Sequence, residues 1–289
     1  MPDQFSPLFT DHSRHYRENK FVYPVLSRRS HGISLGVNLN PDKVCNFDCI
    51  YCQVDRRSEA ETKFLETERL MAELDSMLGF VTSGAIYEDS KFSSVPSDLR
   101  RLNDIAFSGD GEPTTYQNFD QIVLQAADLK KQHGLVETKM LLITNATMFH
   151  RTKVQDALDI LDANNGEIWA KLESGTEEYY HLVARTKIPF QQILDNITLA
   201  SQKRPIIIQS LFMKIQGESP SEAEILAFCD RLNDIKSAGG LLKLIQIYTV
   251  ARQPAESFVA SLEPAEVDSI ANVVNRKTNI PTDVFYGPA

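Results

Sequence analysis

The stretch VCNFDCIYCQVDR, residues 44–56, holds Cys45, Cys49 and Cys52, three of the four cysteines in the chain. In a reducing compartment, thiols gathered this closely are metal ligands more often than disulfide partners. Two metal chemistries compete for the C-x-x-x-C-x-x-C arrangement. Structural zinc takes four protein ligands in a tetrahedron, commonly from two C-x-x-C pairs, and no second pair exists here. The fourth cysteine, Cys229, lies in LAFCDRL on the apolar side of a predicted helix, where a free thiol packs as a small hydrophobe. His31 would complete a Cys3His zinc set, but the strand that follows it rises about 3.3 Å per residue and places it near the opposite rim. A [4Fe–4S] cluster normally takes four cysteine thiolates. With three, one iron keeps an open coordination position, and a small molecule has a place to bind.

A second stretch with chemical character is SGDGEPT, residues 108–114. Gly109 and Gly111 allow close backbone approach, Glu112 can accept charge-assisted hydrogen bonds, and Pro113 stiffens the turn. Thr144 and Asn145 close the apolar run KMLLITN, and KLESGTEE, residues 171–178, offers Ser174 first, with Lys171 and Glu173 beside it. An alternative reading points Lys171 into the core and uses Ser174 and Thr176 to cap a helix. Gln209, Ser210, Gln246 and Tyr248 either line a cavity or satisfy one another in the core.

These residues need a frame. Strand-like runs cover residues 33–39, 104–109, 139–145, 167–173, 205–213 and 241–250, and helical periodicity covers 62–78, 118–133, 152–163, 189–201, 221–237 and 264–277. Six strands alternating with helices predict a parallel sheet with both faces covered. The cysteine loop, DGEPTT, Thr144 with Asn145, and Glu173 to Thr176 then all fall at the carboxyl ends of strands, where open α/β sheets and barrels alike bind ligands.

The chain has 289 residues, 42% hydrophobic and 24% charged, enough for a sizeable core. Neither a signal-peptide-like start nor an apolar run of membrane-spanning length is evident, so a cytoplasmic protein without membrane attachment is expected. The net charge of −9 opposes non-specific attraction to nucleic acid. A local basic run nevertheless holds Arg14, Arg17, Lys20, Arg28 and Arg29, interleaved with Tyr16, Phe21 and Tyr23. It reads either as a phosphate-facing arm or as an arm that packs its aromatics on the domain.

The cysteine loop after a first strand, with Tyr51 just before its last cysteine, resembles the signature of the radical S-adenosylmethionine (radical SAM) superfamily. The SGDGEPT turn after the second strand resembles that family's glycine-rich turn. The resemblance implies a [4Fe–4S] cluster on Cys45, Cys49 and Cys52 whose open iron chelates the amino and carboxylate groups of S-adenosyl-L-methionine. It implies reductive cleavage of that cofactor to a 5′-deoxyadenosyl radical, which abstracts hydrogen from a substrate; six strands would leave a barrel open at one side, and with the basic N-terminal arm this makes RNA and peptides the candidate substrate classes. Tyr51 would meet the adenine, Gly109, Gly111, Glu112 and Pro113 the methionine amino group, and Asn145 and Ser174 the ribose or carboxylate. An external one-electron donor such as flavodoxin or ferredoxin is implied as partner.

The resemblance spans residues 32–252. It implies an α/β fold, a partial (β/α)6 TIM-like barrel of the radical SAM type, with an N-terminal arm of residues 1–31 and a C-terminal helix and tail of residues 253–289. SLGVNLNPDKVCNFDCIYCQ, LITNAT, KLESGTEE and IQIYTVARQPAE are similar to an iron–sulfur oxidoreductase group related to the wybutosine tRNA-modification radical enzyme. Those wybutosine enzymes bind a second cluster through extra cysteines, and this chain has none to spare, which argues against a second cluster and its pyruvate chemistry. The alternative from another class, an iron–sulfur electron-transfer or redox-sensing protein that leaves S-adenosylmethionine intact, would be expected to carry a fourth nearby cysteine.

Overall fold

The computed structural model describes residues 16–287. Its contacts divide the chain into two compact units: the residues up to Cys45 with Arg57–Ile143 and Arg151–Glu167, and Asn46–Arg56 with Thr144–His150 and the residues from Ile168 on.

In the first unit, β1 (Val22–Ser27) and β2 (Gly32–Val37) form an antiparallel hairpin turned at His31, whose φ of 57° is left-handed. Strands β3 (Leu102–Phe107) and β4 (Lys139–Thr144) extend the sheet in parallel, in the order β1-β2-β3-β4. Three helices, α1 (Thr67–Thr82), α2 (Phe119–Gln132) and α3 (Thr152–Asp162), each bury one apolar stripe, such as Leu70, Leu74 and Leu78 on α1. All of β2 is buried, as a strand covered on both faces must be. Glu73 of α1 fixes the entry to β1 by accepting from the Lys20, Phe21 and Val22 backbone N–H groups at 2.8 to 3.1 Å.

The second unit holds β5 (Gly166–Lys171) from Ile168 on, β6 (Ile206–Leu211), a two-residue pair of β7 (Lys214–Ile215) with β9 (Val259–Ala260), β8 (Leu242–Tyr248) and β10 (Thr282–Phe285). Strands β5, β6, β8 and β10 run parallel in that order. Their register sets Lys171 opposite Gln209 and Gln209 opposite Gln246, so these polar side chains share a row on one face. The helices are α4 (Glu177–Ala184), α5 (Phe190–Lys203), α6 (Glu222–Ser237) and α7 (Pro264–Thr278). As the sequence predicts, Pro189 stands just before α5 and Ser221 caps α6, accepting from Glu224 N at 3.2 Å.

All six expected strands are present, and the structure adds to them. Residues 22–27 of the expected arm form β1, and residues 282–285 of the expected tail form β10, which pairs with β8 from Thr282↔Ile245 to Phe285↔Tyr248. The short helix α4 is the one that the alternative reading of KLESGTEE has Thr176 cap. The arm's aromatics pack on the domain: Tyr16, Phe21 and Tyr23 are all buried, and the Tyr16 hydroxyl donates to Asp89 at 2.9 Å. Arg17 pairs with Asp89 at 3.1 Å and lies over the Phe80 ring, while Arg14 falls outside the described residues. Among the described residues no helix is long and apolar enough to cross a membrane.

Candidate functional site

In the first unit, the turn after β3 is built against the segment that leads to Cys45. Asn38, buried at the end of β2, donates to Asp110 at 2.7 Å and accepts from the Asp110 and Asn40 backbone N–H groups, each at 3.1 Å. A Cβ on Gly109 would come 2.1 Å from Asn38 Oδ1, and one on Gly111 would come 2.2 Å from the Val44 carbonyl. Both positions therefore exclude any side chain. Glu112 is buried and turned onto Thr114, accepting from its backbone N–H at 3.2 Å and its hydroxyl at 2.5 Å, which caps the short turn that Pro113 opens. Beside Gly111, the side-chain oxygen of Asn40 is buried without a hydrogen-bond partner.

In the second unit, Asn46 anchors the rest of the cysteine loop. It donates to Thr147 Oγ1 at 2.7 Å and accepts from Asn145 Nδ2 at 2.8 Å, and its carbonyl accepts from Thr186 Oγ1 at 3.0 Å. The end of α4 holds the next residues, because the Asp48 and Ile50 N–H groups donate to the Ala184 and Val183 carbonyls, both at 3.0 Å. Phe47 meets the Tyr180 ring edge-on at 6.0 Å. Cys52 is tied at both backbone groups, to Cys49 O at 2.9 Å and from Ala255 N at 2.7 Å, and Arg56 donates to its Sγ at 3.6 Å.

Tyr51 packs in a buried cluster with Ile50, Val183, Leu211, Met213, Val250 and Val259. Its hydroxyl is committed to Glu173 and also accepts from Lys171 Nζ at 3.3 Å. Burial, the Cys49 thiol and Glu173 push the Tyr51 phenol well above its ordinary value. Burial pushes Glu173 up as well, against the pull of Lys171 and Tyr51. Burial disfavours the Lys171 ammonium, yet Tyr248, Glu173, Cys49 and Cys52 hold it above its ordinary value. One oxygen of Glu173 and the Tyr179 hydroxyl are buried without hydrogen-bond partners.

Ser174 is buried in a loop locked by Glu224, which accepts from Gly175 N at 2.6 Å and from Thr176 Oγ1 at 2.5 Å. Thr176 caps α4, as the alternative reading of this stretch has it. Gln209 donates to Gln246 at 2.9 Å and Ser210 to Leu172 O at 2.7 Å, so these polar groups satisfy one another and the core. Thr144 accepts from Ala146 N at 3.0 Å. Asn40, Asn46, Arg56, Tyr179 and Glu224 went unseen in the sequence. Only Glu224 left a trace there, in the capped start SEAE.

The three loop cysteines are half-buried and free of disulfides, and Cys229 is buried in α6. Among the described residues no three His, Cys, Asp or Glu side chains are gathered as ligands of one metal ion. The unpartnered side-chain oxygen of Asn40, beside Gly111, suits a polar ligand that donates a hydrogen bond. A buried acceptor left unpaired costs about 1–3 kcal/mol, and such a ligand would recover it.

Residues 39–229 match the family model of the Radical SAM superfamily. The chain belongs to this superfamily of enzymes. With the family come a [4Fe–4S] cluster and S-adenosylmethionine as cofactors, and Cys45, Cys49 and Cys52 are present in the matched segment. A UPF0026 protein of Helicobacter pylori is 30% identical over 221 residues, 73% of this chain and 62% of that protein. A UPF0026 protein of Methanocaldococcus jannaschii is 24% identical, over 87% of this chain and 68% of its own length. This chain thus spans about three fifths of the Helicobacter relative. A radical SAM methyltransferase from Sphaerobacter thermophilus superposes with a TM-score of 0.65 at 11% identity, over 93% of this chain and 70% of that one. TYW1 with a lysine–pyruvate adduct bound superposes at 0.54 and 14% identity, over 94% and 80%. The fold is α/β with a mostly parallel sheet of the radical SAM type.

Proposed function

We propose that this radical SAM protein cleaves S-adenosylmethionine reductively and uses the product to remove a hydrogen atom from a substrate. When bound, the cluster and S-adenosylmethionine would supply a 5′-deoxyadenosyl radical on receipt of one electron from an external donor. Cys45, Cys49 and Cys52 would hold the cluster, and the turn of Gly109–Pro113, with Asn40 beside it, would receive the methionine end. The observation that carries this reading is a three-thiol loop, one ligand short of a closed set, that is anchored through Asn46, Ala184 and Val183.

The chain's own residues have three tasks. Asn46 and the end of α4 fix the loop, so that a ligand at the open position meets a set geometry. Tyr51, packed among Ile50, Leu211 and Val250, excludes water beside the thiols. Glu173, with one oxygen paired to Lys171 but making no hydrogen bond, and Ser174, in the loop held by Glu224, would orient the ribose side of the cofactor.

The test is anaerobic: reconstitute the cluster, add dithionite and S-adenosylmethionine, and quantify 5′-deoxyadenosine, with Cys49→Ala as control. Product that depends on Cys49 supports the reading. A reducible cluster that neither binds nor cleaves S-adenosylmethionine would leave the electron-transfer function in its place.

A further inference from the structure

Arg56 Nη2 lies 3.6 Å from Cys52 Sγ and donates to it. The sulfur is held in place for this contact, because both backbone polar groups of Cys52 are bonded, one within the loop to Cys49 and one to Ala255. Arg56 is half-buried, whereas the next residue, Arg57, is exposed. The sequence offers no reason to separate these two arginines, and only the structure aims one of them at a thiol. Lys171 of the same unit is engaged with Tyr51 and Glu173.

We infer that Arg56 sets the reduction potential of the cluster held through Cys52, an inference that rests on the cluster reading above. One electron passes from the external donor to the cluster; the donor is oxidised, the cluster is reduced, and no bond breaks in that step. The added negative charge spreads over irons and sulfurs, including the Cys52 sulfur. A guanidinium that hydrogen-bonds this sulfur stabilises the reduced state more than the oxidised one, and so raises the potential. Hydrogen bonds to cluster sulfurs and the charge around them are among the factors by which a protein tunes such a centre. Partial burial keeps the interaction from being fully screened by salt. Arginine also stays protonated at every working pH, so this contribution does not titrate.

The consequence is functional. A donor of fixed potential reduces a larger fraction of clusters when Arg56 is present, which raises the fraction of molecules ready to act. Arginine suits this position better than lysine, since its planar fork is pre-organised for a directed bond and is less strongly hydrated than an ammonium.

The experiment is an anaerobic redox titration of reconstituted protein, followed by the electron paramagnetic resonance signal of the reduced cluster. Wild type, Arg56→Gln, Arg56→Lys and Arg57→Gln are compared after iron and sulfide analysis. Arg56→Gln is expected to lower the equilibrium constant for one-electron reduction about tenfold, which for such a couple is about 59 mV, while Arg57→Gln stays within about twofold of wild type. An unmoved potential in Arg56→Gln, or an equal shift in Arg57→Gln, overturns the inference. If Arg56→Gln holds less iron and sulfide than wild type, Arg56→Lys decides: a potential lower than wild type supports the role, and an unchanged one overturns it. A wild-type protein that binds no cluster overturns the underlying reading together with this one, whereas a loaded cluster with unmoved potential overturns this one alone.

Discussion

The backbone at Gly111 passes so close to Val44 that a Cβ at position 111 would stand 2.2 Å from the Val44 carbonyl oxygen. Val44 is the residue before Cys45, so the turn after β3 and the approach to the first thiol are shaped against each other. The obstacle is main chain, which cannot swing aside as the end of a flexible side chain could. Gly111→Ala should therefore push the segment that leads to Cys45. Overpacking of this kind costs about 1–3 kcal/mol. The variant is expected to fold, to melt at a lower temperature, and to retain less iron and sulfide after reconstitution. Wild-type metal content in a variant that melts lower would show that the approach to Cys45 tolerates the shift.

Asn46 bonds Thr147, Asn145 and, through its carbonyl, Thr186. Alanine there keeps the carbonyl contact but removes one side-chain partner from Asn145 and one from Thr147, which still bond each other, in a part-buried setting. The expected loss is about 1–3 kcal/mol of stability, with reduced cluster occupancy. Thermal melts of the apo protein measure the first effect and iron analysis the second. Asn46→Asp, which still accepts from Asn145 but no longer donates to Thr147 Oγ1, should fall between alanine and wild type.

Asp89 tests the packing of the arm. The Lys91 backbone N–H, Tyr16 and Arg17 lower its carboxyl below the ordinary value against the opposing effect of burial. A depressed folded-state value means that the stabilisation is present above the unfolded carboxylate value, about pH 4, and is lost as pH falls through the folded one. Asp89→Asn should accordingly melt lower than wild type at neutral pH by an amount on the order of 1 kcal/mol, and the gap should close in acid. A gap that stays constant from pH 7 to pH 3 would show that the carboxylate charge contributes nothing.

How far the sequence carried depends on what each residue must satisfy. The buried strands β3, β4, β6 and β8 are apolar enough to be read directly, and the cysteine loop reads as chemistry because thiols are rare. Strand β1 was hidden by Pro24 and a basic run. Proline is tolerated there because β1 is an edge strand, paired with β2 alone. Strand β10 has only four residues, too few for a periodic pattern. At the site, Asn46 looks like a spacer between cysteines and Arg56 like one of two adjacent arginines. The role of Asn46 lies in contacts with residues up to 140 positions away, as with Thr186, and no local pattern announces those; that of Arg56 lies in a contact with Cys52 within the same loop, set by side-chain direction.

Cys229 and Cys49 separate a buried thiol from a ligand. Burial in α6 pushes the Cys229 thiol up, toward the protonated form that does not bind metal. Cys229→Ala should keep wild-type iron and sulfide content with a small loss of stability, about 1 kcal/mol for the lost volume. Cys49→Ala should lose the cluster. Equal metal loss in both variants would contradict the ligand set.

Glu224 stands 49 positions from Gly175 in the chain and is buried with one oxygen 2.6 Å from the Gly175 N–H and the other 2.5 Å from Thr176 Oγ1. A Cβ on Gly175 would come 2.0 Å from Phe228 N of the same helix, so loop and helix are pressed together without room for a side chain. Glu224→Ala would leave a buried N–H and hydroxyl unpaired, at about 1–3 kcal/mol, and would release the loop that carries Ser174. If that loop orients S-adenosylmethionine, affinity for it should fall about tenfold, or 1.4 kcal/mol, in protein whose cluster content is unchanged. Glu224→Gln keeps one acceptor oxygen for the Gly175 N–H and should recover most of the affinity. Loss of stability in Glu224→Ala with unaltered S-adenosylmethionine binding would confine Glu224 to the packing of α6, and would remove Ser174 from the cofactor's surroundings.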